Sequence, residues 1–421
     1  MKLINSRYCL VLFLRLLAFV VSAQENVKIA VISDVHFFSE KLAPTDKAMQ
    51  LYEEQTGRNI PILHEILDTV LNRISKENPD FLFISGDITN HGERQSHLDF
   101  VSKLQPLREK GTRIFVIPGN HDINIPNSKK YTDTENLSTE SVSAKEFTEI
   151  YRDFGYEAAL KRDDASLSYL AKLNNNTHLL CFDTNRYAEH KTNSISSGRI
   201  LPETMQWALD ILREAQEKNV TVLGLMHHGL VEHMPYQSTF FAAYLIDVWQ
   251  KNAQILADAG LKIVFTGHFH SNDASSYTSP SGNIITDVET GSLSQYPFPY
   301  RVAEIKANSL QITSHFIESI AGLPNLAEVY REKFKTNAAI AAEARLKNIG
   351  LPLLGETKKS LTELISQMTV LHAAGDEAPD KEMQKAIENL AEIFNSNEVD
   401  FSFQLDFPPE DNRLIIDLKN Q

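Results

Sequence analysis

Short apolar runs recur along this chain, and five of them stop abruptly at residues that carry charge or ligand lone pairs. Residues 29–32, extended backwards by Val27 across Lys28, lead to Asp34 and His36. Residues 81–84 lead to Gly86 and Asp87, and residues 114–117 to the turn Pro118-Gly119-Asn120-His121-Asp122. The run 220–226 leads to His227-His228, and 263–265 to Gly267-His268-Phe269-His270. Unbroken runs of this length suit strands buried on both faces of a sheet. Between them Ile60, Leu63, Ile66, Leu67, Val70, Leu71 and Ile74 recur at helical spacing, and further helical stretches are expected near 93–109, 202–218 and 238–259. Strand and helix alternate, which predicts an α/β sandwich.

The chain has 421 residues, enough for a catalytic unit plus an appendage, since single cores rarely grow beyond roughly 250–300 residues. Lys2 and Arg7 precede an apolar run at residues 8–21, then Ser22-Ala23 and polar Gln24. This pattern predicts a cleaved signal peptide over 1–23 and hence a periplasmic or secreted protein. Arg15 interrupts the run, which is shorter than the roughly 20 apolar residues of a membrane span, so only an uncleaved segment would give membrane attachment. Residues 24–317 are expected to form the catalytic domain, with the polar segment 123–176 inserted over the site. Strand-like segments at 179–182, 284–288, 302–305 and 310–316 are expected to belong to the sheets, the last three completing a second one. From 318 to 421 the chain reads as mainly helical, closing with a strand hairpin over 400–419.

In an open α/β sheet the carboxyl ends of the strands form the crevice where ligands bind, so the five polar clusters are expected to converge. They offer carboxylates, an amide oxygen and several imidazoles, a mixture suited to divalent zinc, manganese or iron. No cysteine thiolate accompanies them, which argues against a finger-type structural zinc site. Cys181 would be the sole cysteine once residues 1–23 are removed, so no internal disulfide is expected. In Asp34-x-His36 and His268-x-His270, residues two apart would point the same way from extended chain. Gly86 and Gly119 would let the backbone turn tightly beside an ion and leave room for phosphate.

Taken in order, D-x-H, G-D, G-N-H-D, H and G-H-x-H resemble the calcineurin-like metallophosphoesterases over roughly residues 27–316. Asp34-x-His36 and His227-His228 look like the branch that hydrolyses cyclic nucleotides and glycerophosphodiesters. The resemblance implies a two-sheet α/β sandwich and two divalent metal ions. It places one on Asp34, His36 and His270 and the other on Asn120, His227 and His268, with Asp87 bridging. His227 is chosen over His228 because it follows the strand directly. The two ions would share a water whose pKa falls toward neutrality, and so produce the attacking hydroxide. His121 would face the substrate phosphate and serve the leaving oxygen, with Asp122 orienting its ring. Asn90 and His228 are candidate substrate contacts, and His91 stands close enough to join them.

Other polar residues have plainer readings. His64, His97, His178, His190, His233, His315 and His372 lie off the strand ends and are expected to be structural or solvated. Asp183 and Asn185 are expected to tie down loops, and Ser197-Gly198-Arg199 to form a turn. A net charge of -14 argues against a broad nucleic-acid surface, which weakens a nuclease reading and favours a small phosphorylated substrate. Small phosphodiesters are the first expectation and phosphomonoesters the second. A non-catalytic binding module would be expected to have lost ligands, and none is missing.

Overall fold

A computed structural model describes residues 26–349, 355–395 and 407–419. The expected signal segment lies outside the described residues, as do Phe401, Phe403 and Leu405 of the expected terminal hairpin. In order, the elements are β1 (Val27–Ile32), α1 (Asp46–Thr56), α2 (Ile60–Glu77), β2 (Phe81–Ile84), α3 (Arg94–Glu109), β3 (Arg113–Val116), the hairpin β4 (Lys129–Tyr131) and β5 (Asn136–Ser138), and α4 (Ala144–Ile150). There follow β6 (Lys161–Arg162), β7 (Tyr169–Lys172), β8 (Thr177–Cys181), α5 (Pro202–Glu217), β9 (Thr221–Leu225), α6 (Gln237–Phe240), α7 (Trp249–Asp258) and β10 (Ile263–Thr266). The chain continues through β11 (Ala274–Thr278), β12 (Ile284–Glu289), β13 (Pro299–Lys306), β14 (Ser309–Phe316), α8 (Leu326–Ile349), α9 (Gly355–Ala374), α10 (Lys381–Asn395) and β15 (Arg413–Asp417).

Two sheets face each other. The first runs β15-β14-β13-β1-β2-β3 and the second β11-β12-β10-β9-β8-β7-β6. The strands β1, β2 and β3, which lead to three of the expected ligand clusters, are mutually parallel, as are β8, β9, β10 and β12, so their carboxyl ends open at one rim. The unbroken apolar runs follow from burial on both faces. In β8, β9 and β10, Leu179, Cys181, Leu223, Leu225, Ile263 and Phe265 point between the sheets. The intervening Leu180, Val222 and Val264 point outward onto α5 and α7. On the far side, α2 buries the same seven aliphatic residues that gave its periodicity, each contributing about 1.5–3 kcal/mol of transfer free energy before entropy is counted. Asn59 caps its first turn by accepting from the Ile62 amide, and Asn78 ends it in a left-handed conformation.

Several expectations change. β12 joins the second sheet, but in the first β13 pairs antiparallel with β1 and β14 antiparallel with β13, so these two strands extend the free edge of β1. The segment expected as an insertion, 123–176, is only partly outside the sheets, since β7 pairs with β8 and β6 with β7. The helix expected at 238–259 begins in earnest at Trp249. Residues 241–248 instead form a 3-10 turn and loop. Beyond β14, α8 packs against α9, with Lys335 Nζ 2.7 Å from Glu363 Oε1. The described part of the terminal segment is one strand, β15, which returns to the edge of β14 and sets Leu414 opposite Ile312. Cys181 is buried and unpaired, and among the described residues no helix is long and apolar enough to cross a membrane.

Candidate metal centre

The loops after β1 and β2 run side by side. The amides of Asp34, His36 and Phe37 donate to the carbonyls of Gly86, Asp87 and Ile88 at 3.2, 3.0 and 2.8 Å. Five of the seven expected ligands, Asp34, His36, Asp87, His268 and His270, adopt positive φ of 48°, 44°, 45°, 76° and 67°. Alternation of extended chain therefore does not aim Asp34-x-His36 and His268-x-His270. Left-handed kinks do, and such backbone persists only where its surroundings over-determine it.

Those kinks assemble one buried cluster. Asp34 Oδ2 accepts from the His268 amide at 2.9 Å and from the Ser33 hydroxyl, which leaves Oδ1 facing His270 Nε2 at 3.2 Å. His36 Nε2 also lies 3.2 Å from His270 Nε2. Across the cluster, His227 Nδ1 donates to the Ser85 carbonyl at 2.8 Å. Its other nitrogen, Nε2, is 3.2 Å from Asn120 Oδ1 and 3.4 Å from Asp87 Oδ1. Asp87 joins the halves, since its Oδ2 is 3.8 Å from His36 Nε2. His268 donates from Nε2 to the Ala243 carbonyl at 3.2 Å, which frees Nδ1.

This donor set fits divalent cations. Asp34 Oδ1 and His268 Nδ1 are buried lone-pair donors without a hydrogen-bond partner, a costly state unless something else binds there. With its proton on Nδ1, neutral His227 turns a lone pair toward the lone pairs of Asn120 Oδ1 and Asp87 Oδ1. Acceptors so placed repel unless a proton or a metal lies among them. Burial opposes charge on His227, but Asp87 and Asp34 outweigh it and raise its pKa to about 9. Burial likewise disfavours the Asp87 anion, yet the imidazoles of His227, His121 and His36 hold its carboxyl well below the usual range. Asp34, His36 and His270 form one group able to hold a cation, Asp34, Asp87 and His227 another, and His227, His228 and His268 a third.

Two glycines make this convergence possible. Gly86 has φ +96°, and a Cβ on Gly119 would stand 2.1 Å from the Asp87 amide nitrogen and 2.2 Å from Asp87 Oδ1. The space that Gly119 leaves is thus taken by Asp87 itself, not by phosphate.

Three other residues depart from expectation. Asp122 does not touch the His121 ring. Its carboxylate accepts from the amides of Ile88, Thr89 and Gly119 at 3.1, 2.9 and 2.8 Å and so staples two loops, because a buried anion takes the nearest main-chain donors. His121 is oriented instead by Asn90, whose carbonyl accepts from Nδ1 at 2.8 Å. Asn90 is itself buried and serves its neighbours, and His228 spends both nitrogens on Thr184 Oγ1 and the Ser196 carbonyl, at 2.7 and 3.0 Å. His228 therefore has no free atom for substrate, and it could join His227 and His268 on a cation only by giving up one of these bonds.

At the half-exposed rim stand His91, His121 and Arg58. Arg58 gave no signal in the sequence. It reaches the site from the loop between α1 and α2, donating to Asn90 Oδ1 at 3.1 Å. His91 stacks on His121 with ring centroids 5.3 Å apart, and its burial, together with the charge of His121, lowers its pKa to about 4. Asp183 accepts from the Leu167 amide and the Tyr187 hydroxyl, and Asn185 donates to the Pro118 carbonyl. These contacts tie the loops, as expected.

In sequence, residues 27–272 match the calcineurin-like phosphoesterase family. The chain belongs to that family. It is accordingly a metal-dependent phosphoester hydrolase, and the cluster above supplies the groups that could hold its metal. No curated protein matches it significantly in sequence. Among solved structures it is similar to a dimetal phosphatase from Danio rerio, at 12% identity over 69% of this chain and 96% of that one, with a TM-score of 0.46. It is also similar to a purple acid phosphatase from yellow lupin seeds (12%, 69% and 52%, 0.40) and to a putative 5′-nucleotidase from Staphylococcus aureus (14%, 66% and 51%, 0.37). The chain spans about half the length of the latter two.

Proposed function

We propose that this calcineurin-like phosphoesterase hydrolyses small phosphodiesters with two divalent cations, Mn, Fe or Zn. Asp34, His36 and His270 would hold one cation, Asn120, His227 and His268 the other, and Asp87 would bridge them. The observation that carries the reading is the carboxylate of Asp87, whose Oδ2 faces His36 and whose Oδ1 faces His227 and the Asn120 side. When bound, the ions supply a nucleophilic water at neutral pH and neutralise charge on the phosphoryl oxygens.

The chain's own residues do the rest. Arg58, braced by Asn90 Oδ1, presents its guanidinium to a non-bridging phosphoryl oxygen. His121, with Nδ1 held by the Asn90 carbonyl, keeps Nε2 for the proton that the leaving oxygen takes. His91, neutral beside it, packs the ring in place. On the opposite side Tyr244 lies 5.0 Å from the His268 ring, with Phe241 and Phe269 around it, an aromatic wall suited to the second organic substituent of a diester.

A phosphomonoesterase is the rival reading, favoured by the Arg58 guanidinium at the rim, which could take a doubly charged ester. Turnover of bis-(p-nitrophenyl) phosphate against p-nitrophenyl phosphate, with Mn2+ supplied, separates the two. Preference for the monoester would overturn the diester reading and leave the metal assignment standing. The pattern of residues 1–23 supports export, so the mature enzyme would work in the periplasm or outside the cell.

A further inference from the structure

A second buried cluster of ligand-type side chains lies outside the centre just described. It comprises Asp273, three residues beyond His270, Asp287 and Glu289 on β12, His233 in the loop after β9, His372 near the end of α9, and Glu377 just past it. Asp273, Asp287, Glu289, Glu377 and His233 are all buried. Arg301, a buried permanent cation beside the cluster, directs its guanidinium to the carbonyls of Asp273, Glu289 and Asp411 and to the Ser314 hydroxyl. It therefore hydrogen-bonds to none of these carboxylates.

Asp287 is satisfied, accepting from the Leu230 and Val231 amides and the Thr266 hydroxyl. The other three carboxylates are not. Asp273 Oδ1 accepts from His233 Nδ1 at 2.7 Å, Glu289 Oε1 from the Ser271 amide at 3.0 Å, and Glu377 Oε1 from His372 Nδ1 at 2.5 Å. Each keeps a second buried oxygen short of donors: Glu377 Oε2 has no hydrogen-bond partner, Asp273 Oδ2 faces only His372 Nδ1 at 3.3 Å, a nitrogen already donating to Glu377, and Glu289 Oε2 stands 3.9 Å from His233 Nε2, while His372 Nε2 is also buried without a partner. Glu377 and Asp273 expose only 1% of their side chains. Donor atoms of Asp273, His372 and Glu377 all lie within 4.8 Å of one another.

We propose that Asp273, His372 and Glu377, backed by Glu289, bind a third divalent transition cation of the Mn2+ or Zn2+ type. Three buried carboxylates that share so few donors call for a cation, and carboxylates mixed with imidazole select manganese or zinc over the all-oxygen sites of calcium. Without an ion the pocket can only gather protons. Burial disfavours charge on His372, yet Asp273 and Glu377 raise its pKa to about 10. The ion takes the place of that proton, so its binding weakens as pH falls. By joining Asp273 to the end of α9, the ion fastens the C-terminal helices to the loop that carries His268 and His270, where Phe269 already packs on the His372 ring at 5.6 Å.

Crystals of the full chain grown with MnCl2, measured for anomalous scattering at the manganese edge, test the site without any substitution. The expected map has a peak among Asp273, His372 and Glu377, separate from those at the Asp87 cluster. Elemental analysis of the same preparation should give three manganese per chain in the wild type and two in Glu377→Gln, which keeps the side chain's shape, and in His372→Ala. An anomalous map with no peak among these three residues overturns the proposal, as does equal metal content in wild type and Glu377→Gln. The peaks at the Asp87 cluster are read separately, so failure of the dinuclear assignment would be told apart from failure of this one.

Discussion

His36 and His270 stand 234 residues apart in sequence and point Nε2 at Nε2 across 3.2 Å. At most one proton can lie between two such nitrogens, and Asp34 Oδ1 and Asp87 Oδ2 stand 3.2 and 3.8 Å away on the two sides. Lone pairs so gathered have little use except to share a cation, and the choice of experiments follows from that.

Asp87→Asn leaves the shape of the centre but removes the charge that joins its halves. Metal content at the centre should fall, and kcat/KM should drop well beyond the roughly 10–100-fold typical of supporting residues around a metal. Activity abolished by chelation should return on adding Mn2+ to the wild type and not to the variant. Full rescue of Asp87→Asn by metal would refute the bridging role.

For His121→Gln the loss should depend on the leaving group. An alkyl ester, whose departing oxygen needs a proton, should lose about 10²–10⁴-fold in kcat, the usual range for general acid catalysis. The p-nitrophenyl ester, with its stable anion, should lose far less. Equal losses for both esters would assign His121 to binding rather than proton transfer.

Gly119→Ala places a methyl group where the Asp87 amide and carboxylate already stand, 2.1 and 2.2 Å away. Backbone must move, at a cost of about 1–3 kcal/mol for overpacking, and Asp87 moves with it. A lower melting temperature should therefore accompany loss of metal. If activity stays at the wild-type level, the close approach has been misplaced.

His97 gives the molecule an acid-sensitive element behind the site. It is fully buried, bonded to the Tyr151 hydroxyl at 2.9 Å and the Asp122 carbonyl at 3.0 Å, and burial lowers its pKa from 6.5 to about 3. Below pH 6.5 the unfolded chain binds a proton that the folded chain refuses. The stability tied to the neutral ring is thus complete above 6.5 and is lost as pH falls toward 3, amounting to about 2 kcal/mol at pH 5. His97→Gln should be less stable than wild type at pH 7 and should close that gap at pH 5, as read from urea midpoints. A constant gap between the two pH values would rule out the titration.

Local pattern determined a great deal here. The unbroken apolar runs of β1, β2, β3, β9 and β10 required strands buried on both faces, and a polar residue at the end of such a strand can only stand at the rim of the sheet. Asp34, Asp87, Asn120, His227 and His268 were legible for that reason. Periodicity likewise gave α2 all seven of its buried aliphatics.

What local pattern does not encode is partnership across long stretches of chain. Whether Asp122 orients His121 or staples Ile88, Thr89 and Gly119 depends on which amides the folded loops bring within 3 Å or so. That Arg58 reaches Asn90, or that His228 spends both nitrogens on Thr184 and Ser196, rests on the same kind of encounter. His233 and His372 look like ordinary surface or core imidazoles until folding sets them among Asp273, Glu289 and Glu377. Strand ends are fixed by the periodicity of their own residues, whereas a buried polar group is defined by neighbours that only the closed tertiary structure supplies.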